Sequence, residues 1–231
     1  MLKIFNPVEC KACATSAMRD AKNGKEIVDY IKEKTGITIE IISGKKEASI
    51  IYDTHIEQKL GKDADCMYMD VGGGSTQITL IHSGKLIYSH SFNIGTVRMM
   101  NNLVKSEEKE AFLSELKELC FRHPNFKLVG SGGNINKLNK LLQENKSKET
   151  VCVDKLTQLN KELSSLAVET RMKKYKIKRD RAEVISFAAD IFIAAANAMQ
   201  VEEIQVPSIS ISDGIINKMF LRYVAEKEDL N

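Results

Sequence analysis

Apolar and polar positions follow two periods along the chain. Ala14 to Lys34 puts Ile27, Val28 and Ile31 on one stripe behind Thr15 or Ser16, which predicts a helix capped by either hydroxyl and stopped at Thr35-Gly36. Ile37 to Ile42 alternates and is rich in β-branched residues, so it reads as a strand broken by Ser43-Gly44, with a short helix from Lys45 to Tyr52 behind it. Cys66 to Val71 reads as a buried strand ending in three glycines. Gln77 to Ile81 and Lys85 to Phe92 flank the turn His82-Ser83-Gly84 and predict a hairpin. Ser106 to Phe121 carries Phe112, Leu113, Leu116 and Leu119 at helical spacing. Phe126 to Val129 is a strand entering a second glycine loop, Gly130-Ser-Gly-Gly133, with a helix from Ile135 to Glu144 after it. Helices are predicted at Lys155 to Leu166, Glu169 to Lys174 and Arg181 to Met199. A short strand at Ile204 to Val206 and a last helix, opened by Ser212-Asp213-Gly214 and ending near Ala225, follow. Strands that alternate with helices make this an α/β chain.

Composition narrows the function classes. With 43% hydrophobic and 28% charged residues among 231, the chain has enough apolar material for a sizeable core. Lys+Arg 34 against Asp+Glu 31 leaves +3, too balanced for a dedicated nucleic-acid binder. Met1 to Phe5 carries no apolar run of the secretory kind. The longest apolar segment, Val184 to Met199, is interrupted by Ser186, Asp190 and Asn197 and is not expected to span a bilayer. The cysteines, at 10, 13, 66, 120 and 152, are odd in number and scattered, which points to reduced thiols and a cytoplasmic location. Cys10-x-x-Cys13 has no second pair, and His55, His82, His90 and His123 show no metal or triad spacing, so no zinc site is expected. Met172 to Arg181 is a basic run, either a solvated face or an attractor for a polyanion at a cleft edge.

The sharpest chemical signal is Asp70-Val-Gly-Gly-Gly-Ser-Thr-Gln77 between two strands. Gly72, Gly73 and Gly74 permit positive φ and close approach of backbone N–H groups to a ligand, and Ser75 and Thr76 add hydroxyl donors. Asp70, at the strand end, is placed to hold a divalent ion beside a phosphate. A plain hairpin turn needs one or two glycines, not three between an acid and two hydroxyls. The loop is neither a Walker A sequence nor a glycine loop that opens a helix, and an acid-glycine loop between strands suggests an actin-like phosphate site. Gly132, in the second loop, stands where a helix N-terminus favours anions, although a structural turn accounts for that loop equally well. Taken alone, Arg19 reads as a solvated arginine and Glu47 as a helix-start glutamate.

Together these segments resemble the exopolyphosphatase / guanosine pentaphosphate phosphohydrolase family. The matching pieces are Ala14-Thr-Ser-Ala-Met-Arg-Asp-Ala21, Ile42-Ser-Gly-Lys-Lys-Glu-Ala48, Asp70-Val-Gly-Gly-Gly-Ser-Thr76, Ser91-Phe-Asn-Ile-Gly-Thr-Val-Arg98, Gly130-Ser-Gly-Gly133, Arg181-Ala-Glu-Val-Ile185 and Ser212-Asp-Gly-Ile215. They occur in the family's order along nearly the whole chain. The resemblance implies an actin-like fold (the ASKHA, ribonuclease H-like class) with the active site in a cleft between two domains. Here these are residues 1–52, the remainder of the first domain, and 53–231, a complete second domain with the C-terminal helices. It also implies Mg2+-assisted hydrolysis of terminal phosphate from inorganic polyphosphate or guanosine pentaphosphate. By position, Glu47 matches the water-activating carboxylate, Asp70 and Gln77 the metal positions, and Arg19 a phosphate-contacting arginine. Gly72, Gly73, Gly74, Ser75 and Thr76 match the phosphate loop.

Two departures qualify the match. Nothing here corresponds to the Asp-Ile-Gly-Ser-Asn-Ser type loop with which the family opens, so the first domain is expected to be incomplete, and the surface this exposes is expected to favour a homodimer. Gln77 stands where the family carries Glu, and an amide is a neutral ligand that cannot act as a base. Lys46 also replaces the first acid of a Glu-Glu pair, while Glu47 keeps the second. Three alternatives to hydrolysis stay open: a catalytically impaired fragment, a phosphate or nucleotide sensor on the same fold, and a sugar-kinase-like or ATPase member of the actin-like class.

Overall fold

The computed structural model describes residues 2–52, 65–143, 149–207 and 211–228. His55, Glu144 and the first residue after the expected 52/53 domain boundary lie outside them.

The N-terminal part holds a small parallel sheet. β1 (Ala12–Ala14) pairs with β2 (Ile39–Ile41) in the register Ala12 to Ile39, Cys13 to Glu40 and Ala14 to Ile41. Between them the chain forms two helices, not the single helix that the stripe from Ala14 to Lys34 predicts. α1 (Leu2–Phe5) precedes the sheet, α2 (Ser16–Asp20) follows β1, and α3 (Gly24–Thr35) starts after a turn at 21–23. The turn is tight. The Gly24 N–H donates to the Ala21 carbonyl at 3.0 Å, and a Cβ on Gly24 would lie 2.3 Å from the Met18 carbonyl oxygen. Gly36, at φ +73°, ends α3 in the left-handed conformation, with its N–H on the Lys32 carbonyl. α4 (Gly44–Tyr52) then begins where the Ser43 hydroxyl accepts the Lys46 N–H at 3.2 Å.

The larger sheet has the order β5-β4-β3-β6-β8-β7, built from β3 (Cys66–Val71), β4 (Thr76–His82), β5 (Lys85–Phe92), β6 (Lys127–Ser131), β7 (Thr150–Cys152) and β8 (Glu203–Gln205). β3, β4 and β5 form an antiparallel meander, whereas β3–β6 and β6–β8 are parallel. Ser83 and Gly84 both have positive φ, as a tight hairpin turn with the sheet's twist requires. β3 is therefore central, and the loop after it opens at the edge shared by β4 and β6.

Helices cover this sheet: α5 (Thr96–Met100), α6 (Ser106–Arg122), α7 (Gly133–Leu142), α8 (Val153–Ser165), α9 (Val168–Tyr175) and α10 (Arg179–Met199). α10 packs on each of the other five. Ala182, Ala188, Ala189, Ala195 and Ala196 are buried along it, small side chains that let its neighbours approach closely, and Ile185 and Phe192 fill the gaps. Starting at Arg179, α10 is long and apolar enough to cross a membrane by length and composition, unlike the shorter segment read from sequence; here it is the helix around which the core is built. On α6, Phe112, Leu116 and Leu119 are buried, but Leu113 is 38% exposed, because it sits a quarter-turn off the stripe. α11 (Ile211–Glu228) returns to the N-terminal part, where it packs on α4 and Arg222 pairs with Glu9.

A glycine cradle facing two carboxylates

The loop between β3 and β4 is held by its carbonyl groups. The Thr96 N–H donates to the Gly72 carbonyl at 3.0 Å and the Val97 N–H to that of Gly73 at 2.8 Å; Arg98 Nε donates to the Gly74 carbonyl at 2.7 Å. The Gly72 N–H closes the turn on Ser75 O at 2.9 Å. Among the described residues, the N–H groups of Gly73, Gly74 and Ser75 donate to no backbone carbonyl. Carbonyls tied back with amides left over is the arrangement that binds an anion.

The glycines serve space rather than conformation. None of Gly72, Gly73 and Gly74 has positive φ, contrary to the expectation from sequence. A Cβ on Gly74 would instead lie 2.3 Å from Ser16 Oγ, one on Gly73 3.1 Å from Val97 Cγ2, and one on Gly95 2.4 Å from the Gly73 carbonyl oxygen. The loop is thus pressed between α2 on one side and the start of α5 on the other.

This loop walls a cavity of about 320 Å3 that Glu47, Asp70, Gln77, Ser16, Asp20 and Arg98 also line. Asp70 ends β3 and Glu47 sits in the first turn of α4, so the two carboxylates come from the two parts of the chain. Enclosure and the facing Glu47 charge raise the Asp70 carboxyl to about 6, opposed by the Ser131 hydroxyl, whose oxygen lies 3.5 Å from Asp70 Oδ2. Glu47 is only 8% exposed. Its burial pushes its pKa up, and Arg19 draws it back down through an ion pair at 3.2 Å.

Three residues expected to touch phosphate, Thr76, Arg19 and Gly132, lie elsewhere. Thr76 is fully buried and its hydroxyl donates to the Ile94 carbonyl at 2.6 Å, because the first residue of β4 faces the core. Arg19 does not line the cavity: its Nη1 donates to the Ile42 carbonyl at 2.6 Å and to Glu47, which fixes the start of α4 and the carboxylate on it. Gly132, at φ +99°, stands behind Asp70, and a Cβ there would come 3.0 Å from Asp70 Oδ1. The remaining expected residues, Glu47, Asp70, Gly72, Gly73, Gly74, Ser75 and Gln77, meet at the cavity. Sequence reasoning missed Ser16, Asp20 and Arg98 as wall residues. Arg98 pairs with Asp20 across the cleft, and its signal was its place in the Gly95-Thr-Val-Arg98 segment just after β5.

The donors suit a hard divalent cation. Asp70 offers a carboxylate raised by burial and by its neighbour's charge, and Gln77 a buried amide oxygen, Oε1, that has no hydrogen-bond partner while Nε2 is 2.7 Å from Ser89 Oγ. No group of three or more His, Cys, Asp and Glu gathers among the described residues. Removing the Asp70 charge tests the strain. A carboxyl raised in the folded state disfavours folding above its folded pKa, and the penalty vanishes below the unfolded value near 4. In chelator at pH 7, Asp70→Asn is expected to raise stability by about 1–2 kcal/mol, or about 2–8 °C in Tm. A thermal melt that shows no rise would remove the case for a charge-strained site.

Comparison with known proteins identifies the family and the fold. The model of the Ppx/GppA phosphatase family matches residues 1–223. A bifunctional 3-dehydroquinate synthase/phosphatase from Fusobacterium nucleatum subsp. nucleatum is 37% identical over 135 residues, 52% of this chain, and the match spans 20% of that protein's length. An exopolyphosphatase from Cytophaga hutchinsonii superposes with a TM-score of 0.81 at 20% identity, over 94% of this chain and 77% of that one. The Aquifex aeolicus Ppx/GppA family member superposes with a TM-score of 0.72 at 23% identity, over 96% and 77%. The fold is therefore the mixed α/β architecture that those structures share, and this chain belongs to the Ppx/GppA phosphatase family.

Proposed function

We propose that the chain hydrolyses terminal phosphoanhydride bonds of inorganic polyphosphate, or of a guanosine nucleotide that carries such a chain, with Mg2+ as cofactor. The observation that carries this reading is the cradle itself: amides of Gly73, Gly74 and Ser75 that donate to no backbone carbonyl among the described residues, lining one cavity together with Glu47 and Asp70. Family membership and the exopolyphosphatase likeness support the same substrate class.

The chemistry follows from those groups. The loop amides and the Ser75 hydroxyl take the oxygens of the terminal phosphate and stabilise the charge that builds up on them in the transition state. Asp70 and Gln77 are the residues to hold Mg2+, which when bound neutralises charge on the phosphate oxygens. Glu47 accepts a proton from a water aligned opposite the leaving phosphate. The new P–O bond forms to that water oxygen, the bridging P–O bond breaks, and its electron pair leaves on the shortened chain. Burial tunes Glu47 upward and makes it a better base than an exposed carboxylate, while Arg19 keeps it ionised. A sensor would bind the chain without shortening it. Orthophosphate release from long-chain polyphosphate, with Mg2+ and with chelator, decides between the two. The proposal predicts release in Mg2+ alone, and bound but intact polyphosphate would favour the sensor.

Arg19 supplies a second check. Arg19→Ala deletes the charge that lowers Glu47, so the carboxyl rises further and is protonated at higher pH. The acid limb of the kcat profile is expected to shift upward relative to wild type. A profile displaced in height but not in pH would assign Arg19 to scaffolding only.

A further inference from the structure

We propose that Arg98 takes the terminal phosphate in the glycine cradle, and that Asp20 is a displaceable counter-charge: phosphate drives it off Arg98 on entry, and its return drives product phosphate out. This rests on the cradle's taking a phosphate, as the hydrolase reading has it, but not on any bond's being cut.

The balance of charge in the cavity points to Arg98. Among the described residues that line it, Asp20, Glu47 and Asp70 are carboxylates and Arg98 is the one cation. An entering phosphate adds negative charge to a wall that is already negative. Arg19 gives no relief inside the cavity, because it stands outside, paired with Glu47. Arg98 is the wall's one full positive charge, and it is paired with Asp20.

The geometry suits an exchange of anions. Arg98 Nε donates to the Gly74 carbonyl at 2.7 Å, which fixes the guanidinium against the loop whose amides are left over. Nη2 donates to Asp20 Oδ2, and among the described residues Nη1 has no protein acceptor. One edge of the fork is thus held by the loop, and the other donors pass from carboxylate to phosphate without moving it. Asp20 is free to let go. It is the last residue of α2, its other contact is Ser16 Oγ at 3.5 Å, long for a hydrogen bond, and its side chain is 45% exposed. Water therefore receives the carboxylate at little cost once phosphate replaces it. The pair joins α2 to α5 across the cavity, so a plain strut between the two helices is the competing account, and the two accounts predict opposite effects on affinity.

The test is the binding of inorganic phosphate to the whole chain, with Mg2+ present, by titration calorimetry. Asp20→Asn keeps the side chain's size and removes its charge. It is expected to tighten phosphate binding, and the gain is expected to be about threefold or more larger in the Arg98 chain than in Arg98→Gln, where no ion pair has to be given up. Inhibition by orthophosphate is expected to strengthen by the same factor in Asp20→Asn. An Asp20→Asn chain that binds phosphate no tighter than wild type would make the pair a strut. Equal gains in both backgrounds would leave only repulsion through space. Either result overturns the proposal. If Arg98→Gln melts below the assay temperature, the structure of the wild-type chain with inorganic phosphate decides. Arg98 Nη2 on a phosphate oxygen with Asp20 turned away upholds the exchange, and Arg98 still on Asp20 beside a bound phosphate overturns it. The hydrolase reading stands or falls separately, on release of orthophosphate from polyphosphate, which these binding measurements do not use.

Discussion

Glu47→Gln is expected to lower kcat for orthophosphate release by about 10²–10⁴-fold while KM for polyphosphate changes little. The amide has the size of the carboxylate and keeps an oxygen toward Arg19, so the start of α4 stays anchored through the Arg19 bond to the Ile42 carbonyl. What it loses is the capacity to take a proton from water. It also removes the charge that faces Asp70, so the Asp70 carboxyl falls, while burial, the larger cause, still holds it above the ordinary range. Binding of Mg2+ is therefore not expected to weaken, which separates the base from the metal position. Steady-state kinetics with a binding isotherm for polyphosphate checks both halves. A variant with unchanged kcat would take Glu47 out of the chemistry.

Gly74→Ala is expected to cost about 10²-fold or more in kcat/KM, because a displacement of about an ångström in a positioning group has that effect. Its Cβ would lie 2.3 Å from Ser16 Oγ and 3.0 Å from Ser16 Cβ, so the loop and α2 must part across the cavity. The obstruction is one side chain, and Ser16→Gly removes both atoms. The double variant Gly74→Ala/Ser16→Gly is therefore expected to recover much of the loss. Gly95→Ala is expected to be as damaging without such relief. Its Cβ would meet the backbone of Gly73 and Gly74 at 2.4–2.5 Å, and no substitution shortens backbone. Gly95 has φ −141°, an extended conformation open to any residue, so the whole effect would be steric. Kinetics of the three variants checks this, and a silent Gly95→Ala would mean that the loop position does not matter.

The sheet around the site was legible because its strands are long enough to show a pattern. Cys66 to Val71 and Lys85 to Phe92 have the same bounds in sequence and structure, and the three glycines marked the loop between β3 and β4. Two of the three-residue strands, β1 and β7, carried no signal, whereas the equally short β2 and β8 were marked by β-branched residues in and beside them. The first helix was misread as one piece because the apolar stripe continues through Gly24, where only backbone crowding reveals the turn. At the site, residue types were legible and orientations were not. Ser75 and Thr76 are consecutive hydroxyls after the glycines, but pleating sends Thr76 to the core. Arg19 and Arg98 are equally basic; whether each faces a carboxylate, a carbonyl or the cavity depends on how α2 and α5 pack on the loop. The basic run was legible as charge, but the pairing of Lys174 with Glu162 and of Arg179 with Glu169 and Glu183 was not.

The most direct test of hydrolysis at this cavity is to follow orthophosphate release from long-chain polyphosphate with Mg2+ in water enriched in 18O. The account predicts that the chain is shortened from its end, and that each released phosphate carries one solvent oxygen. Polyphosphate that binds and stays intact, or phosphate that passes to an acceptor without a solvent oxygen, would contradict it.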